Sequence, residues 1–565
     1  MQTWAFGLAR SASLPFAMTP ASARFAALFY YIRWRQNPIL ERPFVAQPSA
    51  SHTSAMDSLG RGATIMIVGT LALLLLSLLG RVATARHLSL SAFGDFNLGL
   101  AFAGLLSLVA LLGLHQAVAR TIAERTDPAV RRKLIRWTAV VTSAAAVVTS
   151  SLVYLFASQI AWLFERDNAA ELTPVFQLFS VTIGLTLLCT FIASVFQGFE
   201  DTRPNAWIVQ GVQPGAFLVF VLIFFDFHLE LTGALVAWVI SNIVTFAVLV
   251  VYAWRHLPAR LPDVPPARSL PEGLWSLSLS LWGVTTLVYV TGYFDTLILG
   301  AFWPEAQVGI YSAVLTIGRL ILVAASAVTY IFLPVAARLT GEGNIPTIRA
   351  TYVTTGRWIM IFTTPMFFVF ALLPGDSLTV IFGGPYAAGS LALIIVTVAA
   401  LGSVFVGPTN AALAGMGMTR PLLIATVISG ATNIVLSLTL IPTFGLIGAA
   451  VAWSVARVAY PVAGAFSLQS THGVGSLRRS FLLPFALSLG IGIPLFLLVG
   501  FVSHPNWVVF PMYFVGVGIF VGSIFATRTV EEGDFIVCHL LERVMGRPLP
   551  KLRQLMERFS ANPAT

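Results

Sequence analysis

Fourteen apolar runs near 20 residues long follow one another, at 63–83, 92–114, 137–163, 173–197, 205–225, 230–253, 276–302, 308–333, 353–373, 388–413, 421–441, 445–467, 481–502 and 507–526. About 20 apolar residues of helix cross the hydrocarbon core of a bilayer. Backbone polar groups there must be satisfied within the segment, so each run is predicted to be a helix. The expected fold class is therefore an all-α polytopic membrane protein with about 14 transmembrane helices. Only 10% of the residues are charged, against about 25% in a soluble domain. The net charge of +10 sits in short loops beside apolar spans, so it points to anionic membrane lipids and not to nucleic acid.

The basic residues orient the spans. With the N-terminus inside, 28 of the 33 Lys and Arg residues fall in cytoplasmic segments, in clusters such as Arg131-Arg132-Lys133-Arg136 and Arg528 through Arg558. Only Arg81, Arg86 and Arg166 fall outside, and Arg319 and Arg457 lie within spans. A bias of this kind sets topology and predicts a multi-pass protein of the cell membrane with both termini cytoplasmic. Residues 1–55, rich in Ser, Ala, Pro and Arg, read as a disordered or transit-like extension, or as the product of an early start codon ahead of Met56.

The apolar runs repeat. "LTGALVAWVIS" at 231–241 matches "LIGAAVAWSVA" at 446–456, and "DTRPNAWIV" at 201–209 parallels "MTRPLLIAT" at 418–426. "FGDFN" at 93–97 aligns with "VGIYS" at 308–312, and "AVARTIAE" at 117–124 with "VAARLTGE" at 335–342. The order is conserved and the offsets are 215–218. Six spans per repeat return the chain to its starting side, so the repeats are parallel, as in many transporters. The expected organisation is a six-helix lobe at 56–270, a second at 271–470, two extra helices at 471–527 and a cytoplasmic tail at 528–565. Thr202, Pro204, Thr419 and Pro421 read as helix starts.

A charge near the centre of a spanning helix costs roughly 2.5–3.5 kcal/mol and marks a functional position. Arg319 and Arg457 are expected about 16 and 18 Å deep, and Asp295 about 12 Å below the outer surface. An offset of 215 maps Arg319 onto Gly104, Arg457 onto Asn242 and Asp295 onto Gly80, so these charges belong to the second repeat alone. Arg319 and Arg457 are candidates for holding an anionic substrate group, since a guanidinium grips phosphate oxygens in a fork. Asn242 is the third substrate-binding candidate, with bonding across helices as the alternative. Structural pairing of Arg319 with Asp295 is the alternative. Arg81 and Asp295 are candidates for an ion pair gating the outer mouth; the alternative is that Arg81 snorkels while Asp295 meets Thr291 or backbone. Asn410 and Asn433 are further interior polar residues, suited to a cation, a sugar or interhelical bonding. A coupling ion is a possible partner, but a proton relay would have only Asp295 and His115 to run on. Cys189 and Cys538 fit no ligand spacing, so no metal or cofactor is expected.

In the second half, "FDTLILGAFWPEAQVGIYSAVLTIGRLI" at 294–321 is followed by "LPVAARL" at 333–339 and "IFGGPYAAGSLALIIVTVAALGSVF" at 381–405. "LAGMGMTRP" at 413–421 and "IPTFGLIGAAVAWSVAR" at 441–457 complete the set. This ordered set resembles the polysaccharide-biosynthesis, O-antigen-type oligosaccharide flippases of the multidrug/oligosaccharidyl-lipid/polysaccharide exporter superfamily, over roughly 56–470. The resemblance implies two lobes around a central cavity, and alternating-access transport of polyprenyl-pyrophosphate-linked oligosaccharide to the outer leaflet by a monomer. The alternatives are a drug or cation antiporter, or a lipid-linked peptidoglycan precursor flippase, of the same superfamily. A membrane glycosyltransferase or ligase would need a catalytic constellation and a sizeable outer loop, and the sequence offers neither, so no enzyme is expected.

Overall fold

The structure is a computed structural model that describes residues 74–529 except 165–168, 261–264, 266–268, 270, 272, 476–478 and 503. All of them belong to one compact unit, Ala63–Thr565. The readings of residues 1–55 and of the tail beyond 529 lie outside the described residues.

Among the described residues, twelve helices are long and apolar enough to cross a membrane. One of them, α15 (Thr419–His472), runs 54 residues and is two spans in one, folded at Gly445. There φ is 52° and ψ −127°, a conformation suited to glycine. The fold is tethered from the side: Gln307 Oε1 accepts from the Leu446 N–H at 3.0 Å, and Trp303 Nε1 donates to the Ile441 carbonyl at 2.8 Å. The first helix, α1, is described over residues 74–87. Both arms of α15 bring the spans among the described residues to thirteen, and the expected run at 63–83 is described only from residue 74.

The remaining helices follow in chain order. The first repeat contains α2 (Leu90–Ala110), α3 (Leu114–Glu124), α4 (Pro128–Leu155), α5 (Ala157–Phe164), α6 (Ala169–Gly198), α7 (Pro204–Asp226) and α8 (Glu230–Arg260). The second contains α9 (Leu274–Phe302), α10 (Glu305–Gly341), α11 (Ile345–Leu372), α12 (Pro374–Ile381), α13 (Ser390–Phe405), α14 (Thr409–Gly415) and α15. Two further helices follow, α16 (Arg479–Phe501) and α17 (Val509–Ala526). They pack on α11, where the Phe368 and Phe496 rings lie 5.3 Å apart. Helix starts follow ordinary capping chemistry: Asp127 accepts from the Ala129 N–H ahead of Pro128, and Ser89 from the Ala92 N–H. Pro204 opens a π-helical turn, with Asp201, not Thr202, accepting from the Arg203 N–H. The outer surface is apolar: Phe501, Trp254, Phe466 and Phe514 are all over 70% exposed, as a lipid-facing wall requires.

The repeats meet along α2, α9 and α10. A Cβ on Gly94 would stand 1.9 Å from the Glu305 carbonyl oxygen, and a Cβ on Gly309 would stand 2.2 Å from the Leu90 carbonyl oxygen. Residues 90 and 94 correspond to 305 and 309 at the 215 offset, so the two contacts are reciprocal. Two equivalent helices therefore cross backbone to backbone about a pseudo-twofold axis, at the end that the charge bias places outside. At the same end, Arg86 Nε donates to the Ile381 carbonyl at 2.9 Å and Arg86 also reaches the Val380 carbonyl. The Tyr386 hydroxyl donates to the Ala85 carbonyl at 3.0 Å. Towards the opposite end, Gln116 Nε2 donates to Thr285 Oγ1 at 2.9 Å, and Ser278 Oγ to the Leu112 carbonyl at 2.6 Å.

Candidate substrate site: a chain of cationic cavities

Three adjoining cavities carry arginine on their walls. The smallest, about 30 Å³, lies at the seam and is lined by Arg81 and Asn97 from the first repeat and Tyr293, Thr296, Ser312 and Arg319 from the second. Asn97 and Ser312 are equivalent positions in the repeat, so this cavity sits on the pseudo-twofold axis. Arg319 also lines the next cavity, of about 360 Å³, with Thr291, Thr426, Ser429, Trp453, Arg457 and Tyr460. Arg457, Tyr460, Leu322 and Ser326 are shared with a third of about 450 Å³, which extends along α10, α13 and α14 to Thr329, Ser403, Thr409 and Asn410. No Asp or Glu lines any of the three.

The local supports of the arginines explain how they are held. Arg319 is half-buried on α10; one terminal nitrogen donates to the Gly292 carbonyl at 3.0 Å, and the guanidinium stands 6.0 Å over the Tyr293 ring. That ring has room because it faces Gly104, the first-repeat counterpart of Arg319: a Cβ there would lie 3.3 Å from it. Arg457 is exposed on the second arm of α15, at the wall common to the two larger cavities. Arg319 and Arg457 are thus brought together around one volume.

Asp295 is fully buried and its charge is met locally. The Tyr311 hydroxyl donates to Oδ2, and the Thr296 N–H to Oδ1 at 2.8 Å. Tyr311 also lies 3.3 Å from the Ala449 carbonyl, which ties α10 to α15. Asp295 and Arg81 form no ion pair here: the carboxylate oxygens are occupied, while Arg81 lines the seam cavity beside Arg319. Asn242 turns away as well, its amide donating to the Trp238 carbonyl of its own helix at 2.8 Å, and it lines none of the three cavities.

Tyr311 is the partner that charge counting misses, since a neutral phenol answers the acid. The repeat holds the signal: where the second half has Asp295 and Tyr311, the first has Gly80 and Phe96. Tyr311→Phe is expected to destabilise the fold by about 1–3 kcal/mol by under-pairing a buried carboxylate. The double change Asp295→Ala with Tyr311→Phe is expected to recover most of that loss, because it removes both polar partners. Thermal unfolding of the four proteins in detergent measures the cycle.

The fold has counterparts among known proteins. The structure is similar to "Lipid II flippase MurJ, inward closed conformation" at a TM-score of 0.65 and 15% identity, covering 82% of this chain and 99% of that one. It is also similar to an inward-facing multidrug resistance MATE family transporter of the MOP superfamily, at a TM-score of 0.56 and 16% identity, over 72% and 99% of the two chains. At such identities the likeness is one of fold. In sequence, 416 residues are 25% identical to the "Probable low-salt glycan biosynthesis flippase Agl15" of Haloferax volcanii, over 70% of this chain and 80% of the relative. Residues 59–340 match the family described as "Polysaccharide biosynthesis protein". With an all-helical bundle of membrane-spanning length, a duplicated architecture and a matching family signature, the chain belongs to the polysaccharide biosynthesis protein family.

Proposed function

We propose that the chain flips polyprenyl-pyrophosphate-linked oligosaccharide from the cytoplasmic to the outer leaflet by alternating access. The observation that carries this reading is the run of cavities with Arg81, Arg319 and Arg457 on the walls and no carboxylate among them. Cations at membrane depth are costly to keep. A diphosphate entering the cavity meets guanidiniums already placed to grip it. A cation or cationic-drug antiporter would instead want acidic groups on these walls, and Asp295 is turned into packing against Tyr311. The names of the relatives agree in kind: one is a glycan biosynthesis flippase and another a lipid II flippase.

In this reading the segments 56–270 and 271–470 are two lobes that rock about the seam of α2, α9 and α10, with the helices beyond 471 flanking the second. The protein works as a monomer in the cytoplasmic membrane with both termini inside, an orientation supported by the basic loops. Arg81 belongs to the substrate wall in the present state, and its pairing with Asp295 would require Tyr311 to let go. A coupling ion is an additional partner in this scheme.

Deletion of the gene, followed by leaflet-resolved analysis of lipid-linked oligosaccharides, tests the proposal. Accumulation of the glycolipid on the cytoplasmic face is the expected result. Unchanged glycolipids together with drug hypersensitivity would overturn it in favour of the antiporter.

A further inference from the structure

The tenth span is broken inside the bundle. Helix α13 ends at Phe405 and α14 begins at Thr409, with Gly407 between them at φ 86°. Non-helical backbone at membrane depth persists where it is buried in protein or lines a watery cavity, and broken helices mark binding sites in transporters. This break forms a wall of the 450 Å³ cavity through Gly407, Pro408, Thr409 and Asn410. It is held in place from behind. The fully buried Tyr352 donates its hydroxyl to the Val406 carbonyl and lies 2.9 Å from Thr409 Oγ1. A Cβ at Gly407 would be 3.0 Å from the Tyr352 ring, so glycine is needed both for the dihedral and for the fit.

Asn410 is the one amide side chain on this wall. Asn410 Oδ1 is buried with no hydrogen-bond partner, and leaving such an atom unpaired is costly. The same cavity is lined by Ser326, Thr329 and Tyr460, with Arg457 the one charged residue, at the border with the neighbouring cavity. The neighbour has two guanidiniums, Arg319 and Arg457. The seam cavity, at about 30 Å³, has no room for a sugar ring.

We propose that the 450 Å³ cavity is the compartment that recognises the sugars nearest the lipid carrier, with Asn410 as a specificity-determining residue, while the diphosphate lies between Arg319 and Arg457. The proposal rests on the flippase reading and adds which part of the substrate each compartment takes. A sugar joined to the diphosphate must occupy the volume next to it, and the two cavities share a wall at Arg457 and Tyr460. Neutral polyols need hydroxyl and amide partners with few charges, which is what this compartment offers. A site that hydrogen-bonds a substrate hydroxyl rejects the analogue lacking it, because its own polar group is left unpaired.

Binding to the full chain in nanodiscs tests this with two probes, bare polyprenyl diphosphate and the same lipid bearing a disaccharide. The wild type is expected to prefer the glycosylated lipid by about tenfold or more. Asn410→Leu and the smaller Asn410→Ser are expected to lose most of that preference while binding the bare lipid as the wild type does, which also reports an intact fold. An undiminished preference in both variants, or equal affinities of the wild type for the two lipids, overturns the assignment of the sugar compartment while leaving the flippase reading standing. Binding of neither lipid by the wild type overturns both.

Discussion

Arg319→Gln combined with Arg457→Gln is expected to reduce flipping of lipid-linked oligosaccharide in proteoliposomes by at least about 100-fold, from the loss of two charge-assisted bonds worth about 1.5–3 kcal/mol each. The two side chains border one cavity from α10 and α15, so the changes should reinforce each other. Lysine at either position should retain part of the rate, since it keeps the charge and loses the fork. Stability should move the other way. Neither arginine forms an ion pair among the described residues, and relieving a cation at membrane depth removes a desolvation cost. The double variant is therefore expected to melt no lower than the wild type. A large fall in melting temperature with transport preserved would mean that these arginines are structural.

Gly94→Ala and Gly309→Ala should have an equally large effect on conformation. The new Cβ meets a backbone carbonyl at 1.9 or 2.2 Å, and backbone cannot step aside as a side chain can. Helices α2 and α10 must separate at their crossing, at an expected cost of about 1–3 kcal/mol to the closed seam. Each change should raise the population open at that end by about tenfold or more. A cysteine introduced at Ser312, which is buried on the seam cavity, provides the readout in a background with Cys189 and Cys538 replaced. Labelling by a membrane-impermeant thiol reagent from outside should be slow in the parent and rapid in the glycine variants. Equal labelling rates would mean that this crossing does not seal the outer end. Arg86→Ala, which frees the carbonyls of Val380 and Ile381, should act in the same direction and more weakly, since that bond is exposed.

The spans were legible because membrane insertion depends on local hydropathy: every apolar run from 92 onward has a helix, and the two runs at 421–441 and 445–467 are the arms of α15. The repeat was legible because duplication leaves a nearly constant offset, and Gly94 and Gly309 make reciprocal contacts with Glu305 and Leu90 as equivalent positions. Arg319 and Arg457 stood out because charge in a span is expensive, and both line one cavity. Reasoning from charge went no further. It looked for a cation near Asp295 and missed the hydrogen bond from a phenol sixteen positions along. It offered Asn242 as a substrate-binding candidate but could not show that the amide donates to the Trp238 carbonyl of its own helix.

The amino-acid order by itself determined the run of spans and the duplication, because these follow from residue transfer energies and the repeat of one pattern along the chain. Only the tertiary structure decided which walls the arginines share, that Tyr311 and Thr296 close off Asp295, and that the break at Gly407 faces a cavity. Those outcomes depend on the azimuth of each helix and on which neighbours it packs against. Hydropathy is nearly uniform around a helix bathed in lipid and other helices, so the periodic pattern that betrays a buried face in water is largely missing here.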